Sequence, residues 1–191
     1  MKGANANTEP VRAAPNSRCG VAVRNSVMAH WETLCADPQR AGLPDKFETA
    51  ANGKIVLRPM SVKHASLQGD LLVALHAIAT QAGTKGKVVP ECPVVTADGV
   101  KSPDVAWLSD AEVKTFVGKS ATPTAPTICI KVKSPSNSGR DLDTKRALCF
   151  AAGATEVWLC DERSALRFWN VGGRIRQSTV FANIPKRLGD A

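Results

Sequence analysis

Apolar residues recur along this chain in two alternating rhythms, and the switches between them predict its elements. In "SVMAHWETLCAD", Val27, Trp31 and Leu34 come at helical spacing, with Ser26 placed to cap the helix. "FETAANGKIVLRP" alternates instead on either side of Asn52-Gly53, a pair suited to the positive φ of a two-residue hairpin turn, and predicts two antiparallel strands. The helical period returns in "SVKHASLQGDLLVALHAIATQAG", where Ser61 caps, Leu71, Leu75 and Ile78 share a face, and Gly83 stops the longest helix.

Short strands then run through "KVVPECPVVTADGVKSPDVAWLS" around an Asp98-Gly99 turn, and a small charged helix follows near Ala111 to Thr115. "TICIKVK" reads as a β-branched strand, "DLDTKRALCFAAG" as a helix stopped by Gly153, and "EVWLCD" as another apolar strand. Strand, helix and strand at that spacing form a crossover, which places the two strands parallel in one sheet. "LRFWN" and "RIRQSTV", joined across Gly172-Gly173, close the chain as a meander. The order of elements predicts a single α/β domain over residues 25–191. Residues 1–24, rich in Ala, Asn, Pro and Ser with Lys2, Arg12, Arg18 and Arg24 set against Glu9, read as a disordered basic arm.

Composition adds a direction to this picture. The 191 residues, 43% of them hydrophobic, suffice for one sizeable core. A formal charge of +8 points to an anionic partner, nucleic acid ahead of an anionic membrane surface. No apolar run has the length of a membrane span, and "MKGANANTEPVRAAPNSRCG" lacks the apolar stretch of a secretory signal, so the cytoplasm is the expected location. The six cysteines form no C-x-x-C pair and there are three histidines, which argues against structural zinc and for reduced, packed thiols.

Candidate chemistry gathers on two strands. Lys131 and Lys133, separated by Val132, point to one face of their strand, where like charges repel. Asp104 opens another strand directly after Pro103. Carboxylates on adjacent strands with a lysine nearby are how metal-dependent nucleases hold Mg²⁺ through oxygen ligands and stabilise a reacting phosphate. Each residue also has a plainer role open to it. Glu48 can be a solvated hairpin carboxylate and His64 a structural histidine. Lys145 and Arg146 can be the exposed side of a helix packed through Leu148 and Phe150.

The segments "FETAANGKI", "PMSVKHASLQGDLL", "ECPVVTADGVKSPDVAWLSD", "KVKSPSNSGRDLDTKRALCFAAGATEVWLCD" and "RFW" resemble the Uma-two family of restriction-endonuclease-like proteins, within the PD-(D/E)XK nuclease superfamily. The resemblance runs from about Trp31 to Trp169. It implies a mixed central sheet flanked by helices and hydrolysis of phosphodiester bonds in DNA, in preference to RNA, with Mg²⁺ or Mn²⁺. By the same resemblance Asp104 and Glu48 would ligate the metal, His64 and Gln68 would be polar positions on the long helix, and Lys145 would be the lysine of the crossover helix. A homodimer stays open, since such nucleases pair to cut both strands.

One position departs from the family pattern. Where E-V-x-S-P-S is expected, this chain reads K-V-K-S-P-S, with Lys131 in the place of the glutamate. Asp104, Lys131 and Lys133 together carry a formal charge of +1, which a glutamate at 131 would turn to −1. Unit charges about 4 Å apart interact by ~1 kcal/mol in water and ~4 kcal/mol at an effective dielectric of 20, enough to abolish divalent-ion binding. Three readings follow. One is an endonuclease using Asp104 and Glu48 with Lys133 or Lys145. Another is an inactive nuclease fold that contacts phosphates through Lys131, Lys133, Lys145 and Arg146. The third is an active nuclease into which Lys131 was introduced.

Overall fold

The computed structural model describes residues 18–36, 47–57, 60–134 and 137–189. Helix α1 (Arg18–Ala36) begins earlier than the sequence pattern suggested. Ser26 therefore lies inside the helix, and residues 18–24 of the expected arm are helical, while residues 1–17 fall outside the described part. Trp31 is the anchor that orders α1: it is buried among Val95, Val100 and Ala121, stacks at 4.9 Å on Phe47, and donates its indole N–H to the Ser120 carbonyl at 3.1 Å.

Strands β1 (Phe47–Thr49) and β2 (Ile55–Leu57) pair antiparallel, with Glu48 opposite Val56. Their connection is longer than a two-residue turn. The Ala50 N–H donates to the Lys54 carbonyl at 2.8 Å, and only Gly53 of the Asn-Gly pair has a positive φ, at 78°. Helix α2 (Val62–Gln81) is capped by Ser61, whose hydroxyl accepts the His64 N–H at 3.2 Å.

Strand β3 (Gly86–Pro90) leads to a small hairpin, β4 (Val94–Thr96) and β5 (Gly99–Lys101), and the chain returns as β6 (Val105–Ser109). Gly99 is obligatory in that hairpin. Its φ is +82°, and a Cβ there would stand 2.4 Å from the Thr49 carbonyl oxygen, because the hairpin lies directly against β1. Val100 N–H and Lys101 Nζ bond Thr49 at 2.9 and 2.8 Å, so these contacts fix β1 and with it Glu48. Helix α3 (Asp110–Phe116) starts from a Ser109–Glu112 capping box.

Strand β7 (Ile128–Val132), helix α4 (Gly139–Ala151) and strand β8 (Glu156–Cys160) form the crossover, with β7 and β8 parallel as expected. Strands β9 (Leu166–Asn170) and β10 (Gly173–Ile175) finish the meander. The mixed sheet has the order β10-β9-β8-β7-β6-β3. The last strand stops at Ile175 instead of running through "RQSTV", because the buried Glu156 carboxylate captures that segment. Its Oε1 accepts both the N–H and the hydroxyl of Thr179 at 2.6 Å, and its Oε2 accepts the Trp158 indole N–H at 2.7 Å.

The main core lies on the α2 side of the sheet. Leu67, Leu71, Leu75 and Ala79 pack there on Val105, Trp107, Ile128, Ile130, Val132, Trp158 and Phe168, and the C-terminal segment adds Phe181 and Ile184. The α4 side holds a smaller cluster of Val94, Ala125, Cys129, Ala154 and Val157, against which Cys149 and Phe150 lean. Cys92, Cys129 and Cys160 are buried as small apolar side chains.

Candidate active site

The site forms where β6 begins and β7 ends. Val105 pairs with Ile130 in an antiparallel ladder, so the next residue outward on each strand brings Asp104 beside Lys131. Asp104 is buried, and both of its oxygens are engaged. Oδ1 lies 2.8 Å from Lys131 Nζ and 3.3 Å from His64 Nε2, while Oδ2 accepts the Val132 N–H at 2.6 Å. Burial is the strongest single influence on this carboxyl and opposes its ionisation. The His64 and Lys131 contacts and the Val132 N–H together outweigh it and hold Asp104 below the ordinary carboxylate range.

Lys131 is gripped from two sides, since its ammonium also donates to the Ser102 carbonyl at 3.1 Å. The Ser102 N–H turns the other way and donates to Glu48 Oε1 at 3.2 Å. Ser102 thus ties the lysine and the glutamate into one cluster through its backbone, which no side-chain motif could announce. Glu48 is buried at the rim of the same cavity. A cleft of about 370 Å³ is lined by Glu48, His64, Glu91, Asp104, Lys131 and Asn137 among others. A narrow pocket adjoins it under α4 and shares Glu48, Ser102 and Lys131, with Lys145, Arg146, Cys149 and Trp169 on its other walls.

The structure therefore brings Asp104, Glu48, Lys131, His64 and Lys145 around two joined cavities. Arg146 reaches the same wall, where its guanidinium lies 4.8 Å over the Trp169 ring and 2.9 Å from Asp143. Two of the expected residues stand apart. Lys133 follows the last residue of β7, its side chain is exposed, and it lines neither cavity, although its N–H continues the ladder to the Cys160 carbonyl at 2.8 Å. The two lysines of the strand thus do not share a cleft. Gln68, expected as a polar position on the long helix, is buried. Its amide donates to the Asp104 carbonyl at 2.8 Å and to Glu91 Oε1 at 3.1 Å, so it positions Asp104 from behind.

Sequence reasoning also passed over Cys149. It lies in the narrow pocket, where the Cys129 thiol first, and then the charges of Lys131 and Lys145, hold its thiol below the ordinary range against the effect of burial. Alternation along β7 puts Cys129 on the Lys131 face, and that was the available signal.

A divalent cation does not fit the residues that are present. The Asp104 oxygen that would face it carries an ammonium group at 2.8 Å, and among the described residues no three His, Cys, Asp or Glu side chains converge on one point. An octahedral ion asks for oxygen ligands, and a lysine offers only donors.

The sequence matches the Uma2 family, described as "Putative restriction endonuclease", over residues 31–185. The chain belongs to this family. A crystal structure from Anabaena variabilis ATCC 29413, titled as a putative nuclease belonging to DUF820, superposes with a TM-score of 0.54 at 19% identity, covering 69% of this chain and 76% of that one. At that identity the likeness concerns the fold alone. No curated protein matches the sequence. Among the described residues, no helix is long and apolar enough to cross a membrane.

Proposed function

We propose that this Uma2 member binds nucleic acid, DNA in preference to RNA, in the cleft of its nuclease fold, and that in this chain Lys131 replaces the metal-dependent step with a fixed positive charge. The observation that carries the reading is the 2.8 Å ion pair between Lys131 Nζ and Asp104 Oδ1. The ammonium sits where the family's pattern would bring a cation between two carboxylates, and it neutralises the single buried aspartate there. Lys145 and Arg146 on the α4 wall supply further contacts for phosphate oxygens. A phosphate backbone held this way is bound without strong sequence preference, in the setting expected for a cytoplasmic DNA-binding protein.

A second reading keeps hydrolysis. It draws on Glu48 and Asp104 lining the same cleft, which is the carboxylate pair of a PD-(D/E)XK endonuclease requiring Mg²⁺ or Mn²⁺. Calorimetric titration with Mn²⁺ and Mg²⁺ beside a plasmid-nicking assay separates the two. The unmodified chain should show neither metal binding at millimolar concentration nor nicking. Lys131→Glu should create both, and Asp104→Asn added to it should remove both. Metal-dependent nicking by the unmodified chain equal to that of Lys131→Glu would establish the hydrolytic reading.

A further inference from the structure

The register of the sheet carries positive charge well beyond the cleft. Lys131 lies opposite Leu159 and Leu159 opposite Arg167. The neighbouring row runs through Cys129, Val157 and Trp169 to Arg174. With strands about 4.8 Å apart, Arg167 stands about 10 Å from Lys131 across this face.

Beyond Arg167 the edge of the sheet opens into a groove that takes side chains from both faces. Strand β10 parts from β9 after Ile175, and the C-terminal segment takes its place lower down, where Leu166 N–H donates to the Lys186 carbonyl at 2.7 Å. The gap between them is a groove of about 290 Å³ with Leu166, Phe168 and Ile175 as its apolar lining and Arg167, Arg174, Arg176 and Lys186 as its charged one. All four cations are exposed, and no acidic side chain lines the groove. Arg167 shares Asp161 at 3.3 Å, whereas among the described residues Arg174, Arg176 and Lys186 have no carboxylate at ion-pair distance.

We infer that this edge groove is a second nucleic-acid contact, a track for the phosphate backbone that runs on from the Lys145–Arg146 wall of the cleft, past Trp169, to the edge of the sheet. Charges on an edge strand also block edge-to-edge pairing, but that role needs neither Lys186 nor a row leading back to Lys131. Guanidinium groups suit phosphate oxygens because their paired N–H donors match two oxygens at once. Trp169, half-buried under Arg146 and opposite Arg174 in the ladder, adds a ring face beside the path. The inference rests on the reading of the cleft as a nucleic-acid site and states where the strand goes on leaving it.

Fluorescence anisotropy of the full chain with a short mixed-sequence duplex and with its single strand, over a series of salt concentrations, tests the track. Arg167→Gln/Arg174→Gln/Arg176→Gln should lower affinity about tenfold or more at about 100 mM salt and flatten the log K against log salt slope by about two to three. Arg174→Gln/Arg176→Gln, which leaves the Arg167–Asp161 pair intact, should flatten it by about one to two and guards against a folding defect. Wild-type affinity and slope in both variants, with binding weakened by Lys145→Gln/Arg146→Gln, would overturn the track and leave the cleft reading standing. Absence of binding by the unmodified chain would overturn the cleft reading and the track together. Sedimentation with phosphatidylserine vesicles covers the remaining source of phosphate: vesicle binding lost in the triple variant while DNA binding persists would make the groove a membrane contact and also overturn it.

Discussion

On the α2 side of the central sheet, Leu71 and Leu75 have no exposed surface and meet Ile128, Ile130 and Trp158, which have none either. On the α4 side no residue of the helix is fully buried, and the same strands turn out Lys131, Arg167 and Trp169 instead. The alternation of β7, β8 and β9 divides each strand between these duties, one side chain toward the main core and the next toward the α4 side, where Lys131 and Arg167 stand beside the smaller cluster of Cys129 and Val157. A face that holds only the smaller cluster can accept charge beside it. That is why Lys131 can stand on the strand between the fully enclosed Ile130 and Val132.

The contrast breaks most visibly if the two faces respond alike to substitution. Leu71→Ala should cost about 2–5 kcal/mol in chemical denaturation, because the cavity it leaves lies under a closed helix. Its folded fraction should still bind DNA with unchanged affinity, and a loss of binding would show that the two faces are coupled.

Glu156 sharpens the comparison, since it is a charged residue enclosed with the core. Burial acts on its carboxyl most strongly and against ionisation, yet the hydrogen bonds from Thr179, Trp158 and Ser178 prevail and hold it below its ordinary range. Glu156→Gln should cost about 1.5–3 kcal/mol, as hydrogen bonds to a charged acceptor are lost. A carboxyl whose folded value lies below its unfolded one contributes stability above the unfolded value of about 4.3, and that contribution fades as pH falls through the folded value. Melting temperature measured downward from neutral pH should therefore drop less steeply in Glu156→Gln than in the unmodified chain. Parallel curves for the two would remove Glu156 from the acid response. Smallest of all should be the effect of Arg174→Gln/Arg176→Gln on stability, within about 0.5 kcal/mol of zero, as for exposed side chains in general. A larger loss would mean that these arginines support the fold.

The same division decides what could be read in advance. Periodicity located α2, the β1–β2 hairpin, the parallel β7–α4–β8 crossover and the final meander, since each announces itself through local spacing and stop residues such as Gly83 and Gly153. It misjudged the ends of elements. The start of α1 depends on Trp31 docking against a hairpin formed some seventy residues later, and the early end of β10 depends on a carboxylate two strands away. In the candidate site, the residue types at Asp104, Lys131, Glu48 and Lys145 were legible, and the structure gathers them around the two joined cavities. The exposure of Lys133 and the burial of Gln68 were not, because alternation says which face a side chain takes and nothing about what covers that face.

The sequence by itself determined the elements, the family and the presence of a lysine at position 131, because these are properties of neighbouring residues and of residue type. Only the tertiary structure decided that this lysine satisfies Asp104 directly, at 2.8 Å, with Ser102 linking it to Glu48. It likewise decided that arginines from two strands and a lysine from the C-terminal segment line one groove. Ion pairs and grooves depend on distances between segments far apart in the chain, and those distances are set when the strands register and the helices close over them.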